Sequence, residues 1–185
     1  METLFAKQDR LLLLTSTEII RTLMHRINWD AQLVAIRGPR GVGKTTLMLQ
    51  YMKLHYEVYS REVLYCTLDS VYFSNHTLLE LADVFVKNGG KHLFLDEVHK
   101  YPTWSKEIKE VYDMYPDLKV VFSASSLLNI LNADAGLARR CIPYEMQGLS
   151  FREFLLFYKQ MSFPVCTLEE VLTSPEKICS EVNKV

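Results

Sequence analysis

Arg37-Gly38-Pro39-Arg40-Gly41-Val42-Gly43-Lys44-Thr45-Thr46 decides how the whole chain is read. An apolar run, Leu33-Val34-Ala35-Ile36, precedes it and reads as a short buried strand. Helix-compatible residues from Thr46 to Met52 follow it. Between them, Gly38 to Thr45 satisfies G-x-x-x-x-G-K-[ST], a pattern that cradles a polyphosphate when it joins a strand to a helix. Several N–H donors must converge on one phosphate, and only a backbone with small side chains curls that tightly. Lys44 is expected to place its ammonium on the β- and γ-phosphates, and Thr45 to offer its hydroxyl to Mg²⁺. The start of the next helix adds amides and its positive dipole end. The candidate nucleotide-binding set is Gly38, Pro39, Arg40, Gly41, Val42, Gly43, Lys44, Thr45 and Thr46.

The 185 residues suffice for one substantial core, and 49% hydrophobic with 23% charged residues describes an ordinary globular chain. A net charge of −1 gives no global attraction to nucleic acid or to an anionic membrane. Cys66, Cys141, Cys166 and Cys179 form no C-x-x-C pair, which argues for reduced thiols and against a disulfide frame or zinc site. The five histidines show no metal-ligand spacing. The opening residues do not read as a signal peptide, and Leu11–Leu14 is too short to span a bilayer. The expectation is a cytoplasmic protein that does not enter membranes.

Outward from the phosphate loop, strands and helices alternate. Thr15-x-x-Glu18 carries a capping-box signature before Ile19, Ile20, Leu23, Met24 and Ile27, which predicts an amphipathic helix over 15–28. Glu62–Asp69 reads as a second strand, and Thr77-x-x-Glu80 opens a helix that Asn88-Gly89-Gly90 ends. His92–Val98 is a third strand, and Trp104 to Tyr115 follows as a helix closed by Pro116. Lys119–Ser125 and Cys141–Met146 read as the fourth and fifth strands, with a short helix over Leu127–Leu131 between them. Ser150-x-x-Glu153 caps a further helix, and Thr167–Val185 reads as one or two short helices broken near Pro175. Such alternation implies right-handed crossovers, a parallel sheet covered on both faces, and ligands at the carboxyl ends of the strands. The expected domain is 1–149, with 150–185 as a helical extension.

The acidic partners of the loop come next. Leu93-Phe94-Leu95-Asp96-Glu97 ends a buried strand in two carboxylates, with His92 in the first place of the run. Asp96 is expected to hold Mg²⁺, directly or through water, and Glu97 to orient and deprotonate a water in line with the γ-phosphate. Ser123 or Ser125 could bond the γ-phosphate or that water, while Ser125 or Ser126 could instead cap the next helix. Arg139 and Arg140 are candidates to add positive charge at the transition state, within the chain or across a subunit boundary. Both also fit a solvated basic pair. Arg40 is expected at the surface, where a partner could meet it. His99 and Lys100 read as surface residues, and the Tyr and Phe spacing reads as core.

These residues together resemble the AAA-type P-loop ATPases of bacteria and archaea, near the archaeal ATPases and STAND proteins. Arg37–Thr46 looks like their Walker A, and Leu93–His99 like Walker B with Glu97 in the catalytic glutamate place. Ser123-Ala124-Ser125-Ser126 is similar to their sensor segment, Leu137-Ala138-Arg139-Arg140 places Arg140 on the family arginine, and Leu149–Phe154 is similar to Leu-Ser-Phe-x-Glu-Phe. Ala124 and Arg139 stand where glycines are expected. The resemblance covers about 10–160 and implies a three-layer αβα P-loop NTPase fold of ASCE type, with a mainly parallel five-stranded sheet. It implies Mg²⁺-dependent ATP hydrolysis coupled to a conformational change, with ATP and Mg²⁺ as cofactors, an unidentified protein or nucleic-acid effector, and oligomerisation open. It also implies a helical or winged-helix module beyond the Ser-Phe-x-Glu-Phe helix, so the expectation is either a piece of a longer protein or a short version without that module. ATP over GTP rests on the resemblance, and the sequence has no Asn/Thr-Lys-x-Asp guanine signature. Two other readings share the loop: a weakly hydrolysing ATP-binding switch, and a small-molecule kinase, for which no lid segment is evident.

Overall fold

The computed structural model describes residues 1–125, 135–163, 165–173, 176 and 180. They fall into two compact units, Met1–Leu149 and Ser150–Val185. The first holds a five-stranded sheet built from β1 (Leu33–Arg37), β2 (Val63–Thr67), β3 (His92–Asp96), β4 (Lys119–Ala124) and β5 (Ile142–Glu145). The order is β2-β3-β4-β1-β5 and every pairing is parallel. β4 therefore lies between the strand that feeds the phosphate loop and the strand that ends in Asp96.

Two apolar faces make the three layers. On one, Leu33, Ala35, Leu93, Leu95, Val120 and Phe122 of the sheet pack against α3 (Leu78–Lys87) and α4 (Trp104–Met114) through Leu81, Phe85, Trp104 and Ile108. On the other, Val34, Ile36, Phe94 and Val121 pack against α2 (Lys44–His55) and the preceding segment through Leu47, Met48, Met52 and Trp29. Sheet residues alternate between the faces at period two, and the central strands are buried on both, as parallel sheets require.

The free edges are managed differently. At β2, Gln8 of α1 (Glu2–Leu14) accepts from the Tyr65 amide at 2.7 Å and donates to the Val63 carbonyl at 3.3 Å. One side-chain amide thus stands in for a neighbouring strand. At the other edge, Pro143 removes a donor from β5.

The first helix corrects the sequence reading. It covers Glu2–Leu14, and 15–28 is irregular apart from one 3₁₀ turn at Thr22–His25. Thr15 closes α1, its hydroxyl donating to the Leu11 carbonyl at 2.8 Å, and does not open a helix. Carbonyls of 15–28 are satisfied by long side chains of α2. Gln50 donates to Ser16 and Ile19 at 2.8 and 2.9 Å, and Lys53 to Thr15 at 2.7 Å. Tertiary donors take the place of the helical ladder there. The boxes at Thr77–Glu80 and Ser150–Glu153 both form in full.

A four-residue helix α5 (Ala135–Ala138) precedes β5. The helix expected over Leu127–Leu131 lies outside the described residues. In the second unit, α6 (Phe151–Lys159) and α7 (Leu168–Thr173) are described, and the break expected at Pro175 is outside them. Among the described residues no helix is long and apolar enough to cross a membrane.

Candidate nucleotide site

The loop from Gly38 to Gly43 leaves β1 and turns directly into α2. Gly38 needs its missing side chain for space: a Cβ there would come within 2.0 Å of the Met146 carbonyl oxygen. That closeness follows from the Met146 amide, which extends the β1–β5 ladder by donating to the Arg37 carbonyl at 2.7 Å. Gly43 needs it for conformation, since it caps α2 with φ 99°, in the left-handed region. The amides of the first turn of α2 have no intrahelical partners and remain available to an anion.

Lys44 is buried at the head of α2, and its ammonium donates to the Gly38 and Pro39 carbonyls at 2.8 and 2.9 Å. Burial pulls its pKa down from the ordinary lysine value, and the charges of Glu97 and Asp96 oppose that. The ammonium is thus held over the loop within the field of both carboxylates. Arg40, Pro39 and Thr46 are exposed.

Thr45, next along the helix, donates its hydroxyl proton to Asp96 Oδ2 at 2.5 Å. The Tyr65 hydroxyl donates to the same oxygen at 2.8 Å. On the other carboxylate oxygen, Ser123 Oγ donates in a very short contact, and the Glu97 amide donates at 3.1 Å. Asp96 is almost wholly buried, and these four donors are what make an ionised carboxylate affordable there. Burial, followed by the neighbouring Asp96, pushes the Tyr65 hydroxyl well above its ordinary pKa, so it stays a donor.

Glu97 adopts φ 53° and ψ 40°, unusual for a residue with a side chain. The turn lets its amide reach back to Asp96 Oδ1 and to Ser123 Oγ, both at 3.1 Å. It also directs the carboxylate to His99, whose Nε2 lies 3.3 Å from Glu97 Oε2. Ser125 Oγ is 3.1 Å from the same nitrogen.

The structure therefore gathers Lys44, Thr45, Asp96, Glu97, Ser123 and Ser125 at the carboxyl ends of β1, β3 and β4. Arg140 is not among them. It lies just ahead of β5, whose Ile142 pairs with Val34 near the start of β1, so it sits at the amino edge of the sheet. Roughly 15 Å of strand separates that edge from the loop. There the Arg140 guanidinium grips Asp113 at 3.0 and 3.2 Å and the Gly136 carbonyl at 2.8 Å. A role for Arg140 at this chain's own phosphates is corrected on that ground. Arg139 is exposed.

Three residues escaped the sequence reading. Tyr65 occupies an ordinary strand position, and nothing in the pattern marks its reach to Asp96. His99 was expected on the surface, yet its side chain is only 16% exposed and touches both Glu97 and Ser125. Arg21 donates to the Val42 carbonyl of the loop at 2.8 Å and to the Gln147 and Gly148 carbonyls at 2.9 and 3.1 Å. It ties the loop to the exit of β5.

The uncharacterized protein MJ1637 of Methanocaldococcus jannaschii is 26% identical over 155 residues, covering 80% of this chain and 32% of that protein. The uncharacterized protein MJ1544 of the same organism is 28% identical over 131 residues, covering 68% and 29%. The chain thus spans about a third of the length of these relatives. The structure of C. elegans PCH-2 aligns with a TM-score of 0.48 at 13% identity, over 79% of this chain and 42% of that one. The sequence profile of the AAA domain matches residues 30–155, well over half of the chain, and the chain belongs to the AAA domain family of P-loop proteins.

Proposed function

We propose that the first unit binds ATP with Mg²⁺ and hydrolyses it, the energy serving a conformational change passed to an unidentified effector. The observation that carries this reading is the hydrogen bond from Thr45 to Asp96, which joins the phosphate loop to the acidic strand end. Family membership supports a nucleotide-binding, ATPase-type domain.

The residues present fit a magnesium ion. Thr45 spends its proton on Asp96, which leaves the hydroxyl lone pairs free for a hard cation. No group of three or more His, Cys, Asp or Glu able to hold a metal exists among the described residues. An ion on Thr45, held by Asp96 through water, would draw its other ligands from phosphate oxygens and further waters, as Mg²⁺ commonly does. When bound, it would neutralise charge on the β- and γ-phosphates.

The chain's own residues do the rest. Loop amides and the start of α2 hold the phosphate oxygens, and Lys44 exchanges the Gly38 and Pro39 carbonyls for them. Glu97 accepts a proton from the attacking water, while Ser123 and the Glu97 amide keep Asp96 fixed beside it. Ser125, just past the end of β4, would meet the γ-phosphate.

Magnesium-dependent phosphate release together with fluorescent-nucleotide binding tests the assignment. Lys44→Ala should abolish binding, and Glu97→Gln should keep binding and stop turnover. Equal binding by wild type and Lys44→Ala would overturn it.

A further inference from the structure

The geometry points to His99 as a positioning residue for Glu97: its imidazole fixes one carboxylate oxygen so that the other faces the attacking water. The inference rests on the hydrolytic reading above.

The argument begins with the backbone. Glu97 sits in a left-handed conformation that two amide hydrogen bonds stabilise, and those bonds fix the Cα but leave the side chain's torsions free. A carboxylate that must act in line with a phosphate needs those torsions fixed as well. A neighbour in contact that can do so is His99, two residues on, whose Nε2 lies 3.3 Å from Oε2.

A carboxylate beside a ring nitrogen selects the state in which that nitrogen carries a proton. Both the neutral Nε2–H tautomer and the imidazolium supply it, so the contact holds with either. Ser125 Oγ stands 3.1 Å from Nε2 and 3.5 Å from Nδ1, against the ring edge between the nitrogens. The ring is thereby packed from the β4 side, with Nε2 3.3 Å from Glu97 Oε2. The same arrangement excludes a Ser-His-Glu nucleophilic triad, which needs serine and carboxylate on opposite ring nitrogens. Here the nitrogen nearest Ser125 is also the one beside Glu97.

His99 therefore links the residue expected to activate water with the one expected to sense the γ-phosphate. Movement of Ser125 toward a phosphate would shift the ring, and with it the aim of Glu97.

The test compares wild type, His99→Ala, His99→Phe and His99→Gln in steady-state ATP hydrolysis, with nucleotide affinity and melting temperature measured in parallel. Phenylalanine keeps the ring volume without the donor, and glutamine keeps a donor at about the Nε2 position. The expected result is a kcat lowered ~10–100-fold in His99→Ala and His99→Phe, with KM and nucleotide affinity unchanged. His99→Gln should recover most of the loss. Unchanged or raised kcat in His99→Phe, with Glu97→Gln inactive, would overturn the role of His99 and leave the hydrolytic reading standing. A wild type without turnover, or turnover that survives Glu97→Gln, would overturn both.

Discussion

Thr45 and Asp96 are 51 residues apart in sequence and 2.5 Å apart in space, joined hydroxyl to carboxylate. One stands on the first turn of α2, the other at the last residue of β3. The contact spans the end of β4, and it converts two sequence motifs into one site.

Replacing Thr45 by alanine removes both the hydroxyl donor to Asp96 and the proposed metal ligand. Thr45→Ala should lose the magnesium-dependent part of nucleotide affinity while retaining the magnesium-free part. Thr45→Ser should keep both. Titration of labelled ATP with and without EDTA reads the difference.

Gly38 and Gly41 both carry positive φ, yet their surroundings differ. At Gly38 a Cβ would collide with the Met146 carbonyl at 2.0 Å, whereas at Gly41, φ 85°, nothing lies within 4 Å. Gly41→Ala should cost about 1–2 kcal/mol from backbone strain alone. Gly38→Ala should cost more than ~4 kcal/mol, or prevent folding, because two backbone segments must part. Thermal melts check this, at about 2–4 °C per kcal/mol for a chain of this size.

His92 is buried at the start of β3, its Nδ1 against the Tyr56 hydroxyl at 2.7 Å and its ring 4.3 Å from that of Phe94. Burial, helped by nearby Lys119, pushes its pKa down to about 3. The folded value lies below the unfolded value of about 6.5, so the unfolded chain binds the proton more tightly. The stabilisation is complete above about pH 6.5 and is lost as pH falls toward 3, by a few kcal/mol in total. His92→Phe should flatten that part of the stability–pH curve. Urea melts at pH 7 and pH 5 for both proteins measure it.

The Arg140–Asp113 pair is partly exposed, at 30% and 45% for the two side chains. Arg140→Ala should lower stability by no more than about 1 kcal/mol. Because Arg140 lies at the far edge of the sheet, the substitution should leave nucleotide affinity within about twofold of wild type. A loss of affinity much beyond that, by equilibrium titration, would contradict its placement.

The legible parts of the molecule were those set by local chemistry. The phosphate loop needs its glycines and lysine at fixed spacing, and the strand ending in Asp96 announces itself by apolar residues followed by acids. The parallel sheet then follows from alternation. What stayed hidden depended on partners far along the chain. Thr15-x-x-Glu18 has the letters of a helix start, but Gln50 and Lys53 bind the carbonyls that a helix would have used. Tyr65 looks like any strand aromatic until β2 is placed beside β3. Arg140 matched a motif, and only the β1–β5 register shows which end of the sheet it occupies. His99 misled in the opposite sense, since a charged-looking pair after two acids reads as solvated.

Because β4 separates β1 from β3, the strand that feeds the phosphate loop and the strand that ends in the acidic pair stand two interstrand steps apart, roughly 10 Å. That gap is gauged by peptide hydrogen bonds, so repacking either apolar layer leaves it untouched. Shifting β4 by a single residue would be another matter: Ser123 would swing to the opposite side of the pleat, and Phe122 or Ala124 would confront Asp96 instead. The frame is tolerant of what fills it and intolerant of how it is threaded.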